Sequence, residues 1–176
     1  LPPISLAFWR WILAFIILFL FTHREILEKV KYFKKEFLNI LFLGVTGAGI
    51  CVAFQFIAGI STTVVNMGII YSSSPIFIVL FSYLIFKTQL TYRQIFGFFL
   101  SFVGVIIIAT KANLGILINL NFNAGDIWIL GASISWAIYS VYQIKFKSKF
   151  SVFARVTLIS LLGCLLYTSD AADDTR

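Results

Sequence analysis

Six residues stand out in an otherwise apolar chain because each carries a group that lipid cannot satisfy: Arg10, Gln55, Asn66, Tyr71, Ser73 and Trp136. A guanidinium, two carboxamides, two hydroxyls and an indole are the groups with which a cavity recognises a small polar solute. Arg10 would read charge, the amides and hydroxyls would form hydrogen bonds, and the aromatic rings would stack. Nothing in the pattern suggests catalysis. His23 is the single histidine and lies between apolar runs, and Asp126 sits at the mouth of one run with no carboxylate deeper in any. Without a paired nucleophile and base, the chain does not read as an enzyme. Cys51 and Cys164 are too far apart for metal-ligand spacing, and the GVTGAG stretch at 44–49 lacks a preceding strand and a GK[ST] ending. No metal, ATP or other cofactor is expected.

Each of these residues also has a structural reading. Arg10 lies about six residues, roughly 9 Å, inside its apolar run. It either snorkels outward between Trp9 and Trp11 or faces a wet cavity. Gln55 ends a face of small residues formed by Gly44, Gly47, Ala48 and Cys51. It is either glue between helices or a cavity donor. Pro75, after three serines, removes one backbone donor and frees the carbonyl of Tyr71, so a kink is expected in which Ser72, Ser73 and Ser74 partly compensate. Asn66 and Ser73 fall two turns apart on one face of that helix. A kink serves packing as readily as binding.

The elements that hold these residues follow from composition. Of 176 residues, 60% are hydrophobic and 12% charged, and the mean hydropathy is +0.98. That leaves too little polar surface for a water-exposed globule, since soluble domains carry about 25% charged residues. About 20 apolar residues span a bilayer as a helix. Five runs reach that scale, Ile4–Thr22, Leu38–Ala58, Val64–Phe86, Gln94–Thr110 and Asp126–Ile144, and a sixth starts near Ser151. The fold class is therefore all-α, a polytopic bundle with five to six transmembrane helices.

The formal net charge of +7 does not point to nucleic acid, because the basic residues sit in short loops. The segment His23–Phe37 holds five, the turn Lys87–Arg93 two and the loop Lys145–Phe150 three, all on one side. The opposite loops hold Lys111 alone. Ten against one places the basic side in the cytoplasm and Leu1 outside. The chain opens without Met, and one preceding helix is expected. In the basic segment Ile26, Val30, Phe33 and Phe37 recur at helical spacing, which reads as an interfacial extension of the next helix. Gly97, Ser101 and Gly104 line one face of the fourth run, a packing face or the seam of a homodimer.

Taken in order, these motifs resemble the EamA-type domain of the drug/metabolite transporter superfamily. PPISLAFWRW (2–11) is similar to its second helix; VVNMGIIYSSSPIF followed by LTYRQIFGFFLSFVG is similar to its fourth and fifth. AGDIWILGASISWAIYSVY (124–142) is similar to the start of its second repeat, with Gly125, Asp126, Ser135, Trp136, Ala137 and Tyr139 in place. Thr88 stands where that family commonly has a glutamate. The resemblance implies ten helices in two inverted five-helix repeats. On that basis residues 1–110 are a first repeat lacking its first helix, 111–125 an external loop and 126–163 the start of a second repeat. Phe8-Trp9-Arg10 and Phe153-Ala154-Arg155 share an F-x-R pattern, as inverted repeats would. Arg155 also suits a simple basic flank.

Residues 164–174, CLLYTSDAADD, resemble a translated sequencing adapter, so 164–176 are expected to be non-native. The implied function is a secondary transporter in the cytoplasmic (inner) membrane, moving a small polar or amphipathic metabolite outward. Its expected partners are the lipid bilayer and the small-molecule substrate. A non-transporting membrane scaffold is the alternative.

Overall fold

The computed structural model describes residues 3–87, 91–111, 113, 115 and 122–167, with side chains from Phe8 onward, and among the described residues helices follow one another without a strand. In chain order the helices are α1 (Pro3–Glu28), α2 (Val30–Leu43), a π-helical segment (Gly44–Ile50), α3 (Cys51–Ser61), α4 (Val64–Tyr71), α5 (Ser74–Phe86), α6 (Tyr92–Ala109), α7 (Ala124–Lys145) and α8 (Val152–Leu166). Among the described residues, four stretches are long and apolar enough to cross a membrane: Val30–Ser61, Val64–Phe86, Tyr92–Ala109 and Ala124–Lys145. The remaining expected run, Ile4–Thr22, lies within α1, which continues to Glu28. The basic segment, expected to extend the next helix, is helical: α1 runs on to Glu28 and α2 starts at Val30, with the break at Lys29 (φ −101°, ψ 9°).

The chain packs as two compact units, residues 1–52 with 142–176, and residues 53–141. In the first, α1 and α8 lie side by side. The Trp11 ring comes so near Gly163 that a Cβ there would sit 2.9 Å from it. Further along, the hydroxyls of Thr22 and Thr157 meet at 2.9 Å in a buried contact. The expected small-residue face is present, with Gly44, Gly47, Ala48 and Cys51 all buried. Its backbone, however, is π-helical over seven residues where an α-helix was expected. The α8 side chains press into the glycines, Leu162 against Gly44 and Leu166 against Gly49. The Thr46 hydroxyl donates to the Phe42 carbonyl (2.8 Å), and the Tyr167 hydroxyl lies within 3.0 Å of the carbonyls of Ala48 and Gly49. Such wide turns recur at functional sites.

In the second unit, α7 supplies the buried face, with Ile129, Ala132, Ser133, Ala137 and Val141. The Phe54 and Trp128 rings meet edge to face at 5.0 Å. By contrast, α6 has no buried residue, and Gly97 and Gly104 face open space. Thr91, of the Leu-Thr turn, caps α6 in a reciprocal box: its hydroxyl and the Gln94 side chain satisfy one another's backbone N–H groups. Thr88 lies outside the described residues.

Candidate functional site

The span from Val64 to Phe86 is broken in its middle. Pro75 has no N–H to donate and its ring excludes the carbonyl four residues back, so α4 stops at Tyr71 and α5 restarts at Ser74. The three serines answer the deficit locally. Ser72 donates to the Ile69 carbonyl and Ser73 to the Ile70 carbonyl, each at 2.6 Å, and Ser74 donates to the Tyr71 carbonyl that the proline frees. The kink expected from the sequence is thus a full interruption, closed by side-chain hydroxyls. Ser133 of α7 reaches the same place: its hydroxyl donates to the Ile129 carbonyl (3.1 Å) and lies 3.5 Å from that of Ile70. Tyr71 and Ser73 are half-buried, and Ser74 is buried.

A second polar cluster sits at the start of α7. Asp126 is only 1% exposed. Its carboxylate accepts from the Asn66 amide at 3.3 and 3.1 Å, from the Asn123 backbone N–H at 2.9 Å and from the Thr62 hydroxyl. From the third position of α7 the Asp126 side chain reaches back to the Asn123 N–H, one half of a capping box, while its own N–H donates to the Asn123 backbone carbonyl. The negative charge also complements the positive end of the α7 dipole. Gly125 makes the approach feasible: a Cβ there would lie 2.7 Å from the Ala58 carbonyl oxygen. On the other side of Asn66, Thr63 caps α4 by accepting from its backbone N–H at 3.2 Å.

Five of the six candidate residues, Gln55, Asn66, Tyr71, Ser73 and Trp136, therefore belong to the unit 53–141; Arg10 belongs to the other. Asn66 is buried and committed to Asp126, while Gln55 is half-buried on α3. Trp136 is 37% exposed and tilts against Tyr139 at 5.1 Å. Arg10 is exposed, with its guanidinium carbon 5.5 Å from the centre of the Trp11 ring, a cation–π distance. Arg155, its counterpart in the F-x-R pattern, behaves differently. It is 8% exposed and donates to the carbonyls of Gln143 (3.3 Å) and Phe146 (3.4 Å), closing the end of α7. Between α5 and α6 a groove of about 290 Å³ is lined by Ile76, Val79, Ile95, Phe98, Phe99 and Phe102, and offers a polar ligand nothing to bind.

Two glutamates that the sequence reading passed over tie the basic segments together in the first unit. Glu25 accepts from the Ser151 backbone N–H (2.7 Å), the Ser151 hydroxyl (2.6 Å) and Lys29 (2.9 Å). Glu36 accepts from the Lys149 backbone N–H (2.9 Å) and the Ser148 hydroxyl, and Lys29 donates to the Lys149 carbonyl at 2.7 Å. Burial pushes the Glu25 carboxyl up, but the Ser151 hydroxyl, Lys29 and the Ser151 amide together outweigh it and hold the pKa at about 2. A depressed carboxylate stabilises the fold above its free value of 4.5, and that contribution is lost as pH falls through about 2. The stability advantage of the wild type over Glu25→Gln should therefore be constant near neutrality and shrink between pH 4.5 and about 2. Thermal unfolding of the pair across that range checks it, and a gap that stays constant down to the acid end rules the tie out. The pair is partly exposed, so the advantage should stay within about 1 kcal/mol.

Apolar helices long enough to cross a bilayer, one of them interrupted by self-satisfied polar groups, define a multi-pass α-helical membrane protein. Residues 1–110 match the EamA-like transporter family, and the chain belongs to that family. Among curated proteins it is 26% identical over 166 residues to the uncharacterized transporter YyaM of Bacillus subtilis, an overlap of 93% of this chain and 53% of that protein. It is 31% identical over 152 residues to an uncharacterized transporter of Archaeoglobus fulgidus, covering 85% of this chain and 50% of that protein. The chain thus spans about half the length of these relatives. No solved structure matches it.

Proposed function

We propose that the protein is a secondary transporter of the cytoplasmic (inner) membrane that moves a small polar or amphipathic metabolite outward. The observation that carries this reading is the polar break at 72–75 within an apolar span. Discontinuous helices near mid-membrane are where transporters place substrate groups, because unwound backbone is tolerated only beside a cavity or buried in protein. Tyr71, Ser73, Gln55 and Trp136 would line the path, with Asn66 at its outer end. Relatives named as transporters support the activity; the outward direction rests on the family resemblance. An ion gradient or the substrate's own gradient would drive the cycle.

Thiol accessibility tests the proposal. In a background with Cys51→Ala and Cys164→Ala, Ser73→Cys and Gln55→Cys in the membrane-embedded protein should react with a water-soluble, membrane-impermeant methanethiosulfonate. The wild-type Cys51, fully buried, should not. Silence at both positions would favour the second reading, a membrane scaffold assembled through helix faces. The observation on that side is the open Gly97–Gly104 face of α6, where a second copy would pack.

A further inference from the structure

The glutamate tie has a consequence for the surface it leaves behind. In the segment 23–37 the lysines and arginine are offset on paper by three acids, Glu25, Glu28 and Glu36. In the folded protein Glu36 is buried and Glu25 is half-buried, and the groups they bind are largely neutral: the N–H and hydroxyl of Ser151, the N–H of Lys149 and the hydroxyl of Ser148. Only Lys29 is consumed as an ionic partner. Arg24, Lys31, Lys34 and Lys35 remain exposed, with Glu28 the sole acid of the segment facing outward beside them. The same bonds draw the 146–151 loop, more than a hundred residues away in sequence, onto this elbow, and bring exposed Lys147 and Lys149 to it. Lys31, Lys34 and Lys35 repeat at i, i+3 and i+4, and so share one face of α2. Exposed Val30 and Phe37 lie on the neighbouring stripe.

The geometry points to a composite binding site for the headgroups of anionic phospholipids, built from the α1–α2 elbow and the α7–α8 loop. Two loops that look separately like ordinary positive flanks become one basic surface because internal acids pin them together without neutralising them. The apolar stripe beside it suits the acyl boundary, and juxtamembrane clusters of four to eight basic residues attract anionic leaflets. A flexible, uncoordinated set of flanking lysines would not give site-like selectivity among equally charged surfaces of the same protein.

Electron paramagnetic resonance of spin-labelled lipids reads this out. The full chain is reconstituted in phosphatidylcholine bilayers with trace spin-labelled phosphatidylglycerol or phosphatidylcholine, and the motionally restricted fractions are compared. At low salt the wild type should favour phosphatidylglycerol by at least roughly fivefold, the contribution of one basic residue near the surface. The combined variant Lys31→Gln, Lys34→Gln, Lys147→Gln and Lys149→Gln should bring the ratio close to one. Lys87→Gln with Arg93→Gln, basic residues outside the elbow, should leave it unchanged, as should inorganic phosphate added at constant ionic strength. A ratio near one in the wild type, or a combined variant that keeps the preference, overturns the site. So does a control variant that loses the preference equally, which would mark diffuse charge, or displacement by free phosphate, which would mark a soluble anion.

Discussion

Replacing Asp126 by alanine is expected to lower the stability of the protein by about 3 kcal/mol or more, the cost typical of removing one member of a buried charged network. The carboxylate is the common acceptor for Thr62, Asn66 and the Asn123 N–H, and at 1% exposure it is shielded from bulk solvent, so its loss strands three buried donors. Its loss also removes the acid from the first turn of α7. Asp126→Asn should cost less. Its single carbonyl oxygen still accepts from Asn123 and Asn66, and its amide donates to a reoriented Thr62 hydroxyl. In thermal unfolding followed by fluorescence-detected size exclusion, Asp126→Ala should fall by roughly 10 °C, with Asp126→Asn in between. A double-mutant cycle gives the sharper reading. Once Asp126 is alanine, Asn66→Ala should add little, because the bond it breaks is already gone. Full additivity of the two substitutions would mean that the amide and the carboxylate stabilise the protein independently.

The same cluster shows where sequence reading reaches and where it stops. The spans were legible because the bilayer imposes a length on every apolar run, and the loop charges were legible because the lysines are local. The break at Ser72–Ser73 was legible too, since proline chemistry acts four residues back and the compensating serines are adjacent. Asp126 was visible only as an acid at the mouth of a helix. Its partners Thr62 and Asn66 lie some sixty residues away, and no local pattern announces that pairing. The three-residue step from Asn123 to Asp126 was the available clue, the spacing at which an acid reaches back to the N–H that opens a helix. Glu25 and Glu36 were hidden for the same reason: apart from Lys29 beside Glu25, their partners are 112 to 126 residues distant. The π-helical segment Gly44–Ile50 has Leu162 of α8 against Gly44, a neighbour more than a hundred residues away that a local helix pattern does not contain. Of the six candidate residues, the sequence identified their polarity correctly but not their company.

Glycine substitutions should separate contact from mere smallness, and Gly125→Ala should be the most damaging of them. The added Cβ would lie 2.7 Å from both the Ala58 carbonyl oxygen and the Ser61 hydroxyl, and 2.9 Å from the Thr62 Cβ. The first of these is backbone at the end of α3, which cannot rotate aside as a side chain can. Relief requires α7 to move away from the α3–α4 turn, and that withdraws Asp126 from Thr62 and Asn66. The expected loss is the 1–3 kcal/mol of overpacking, increased by whatever part of the Asp126 network breaks with it. Gly131→Ala meets only the Phe54 ring at 2.9 Å, which can tilt, so it should cost less. Gly97→Ala and Gly104→Ala meet nothing within 4 Å and exchange a poor helix former for the best one. Those two should be neutral or stabilising by up to about 1 kcal/mol in the monomer. Unfolding midpoints that fall in the order Gly125, Gly131, then Gly97 and Gly104 support close backbone approach as the reason for Gly125. Equal losses at all four would mean that helix propensity or lipid packing, rather than contact, sets the requirement. If Gly104→Ala alone proves severe, another helix surface packs closely on that face of α6, as a second copy would.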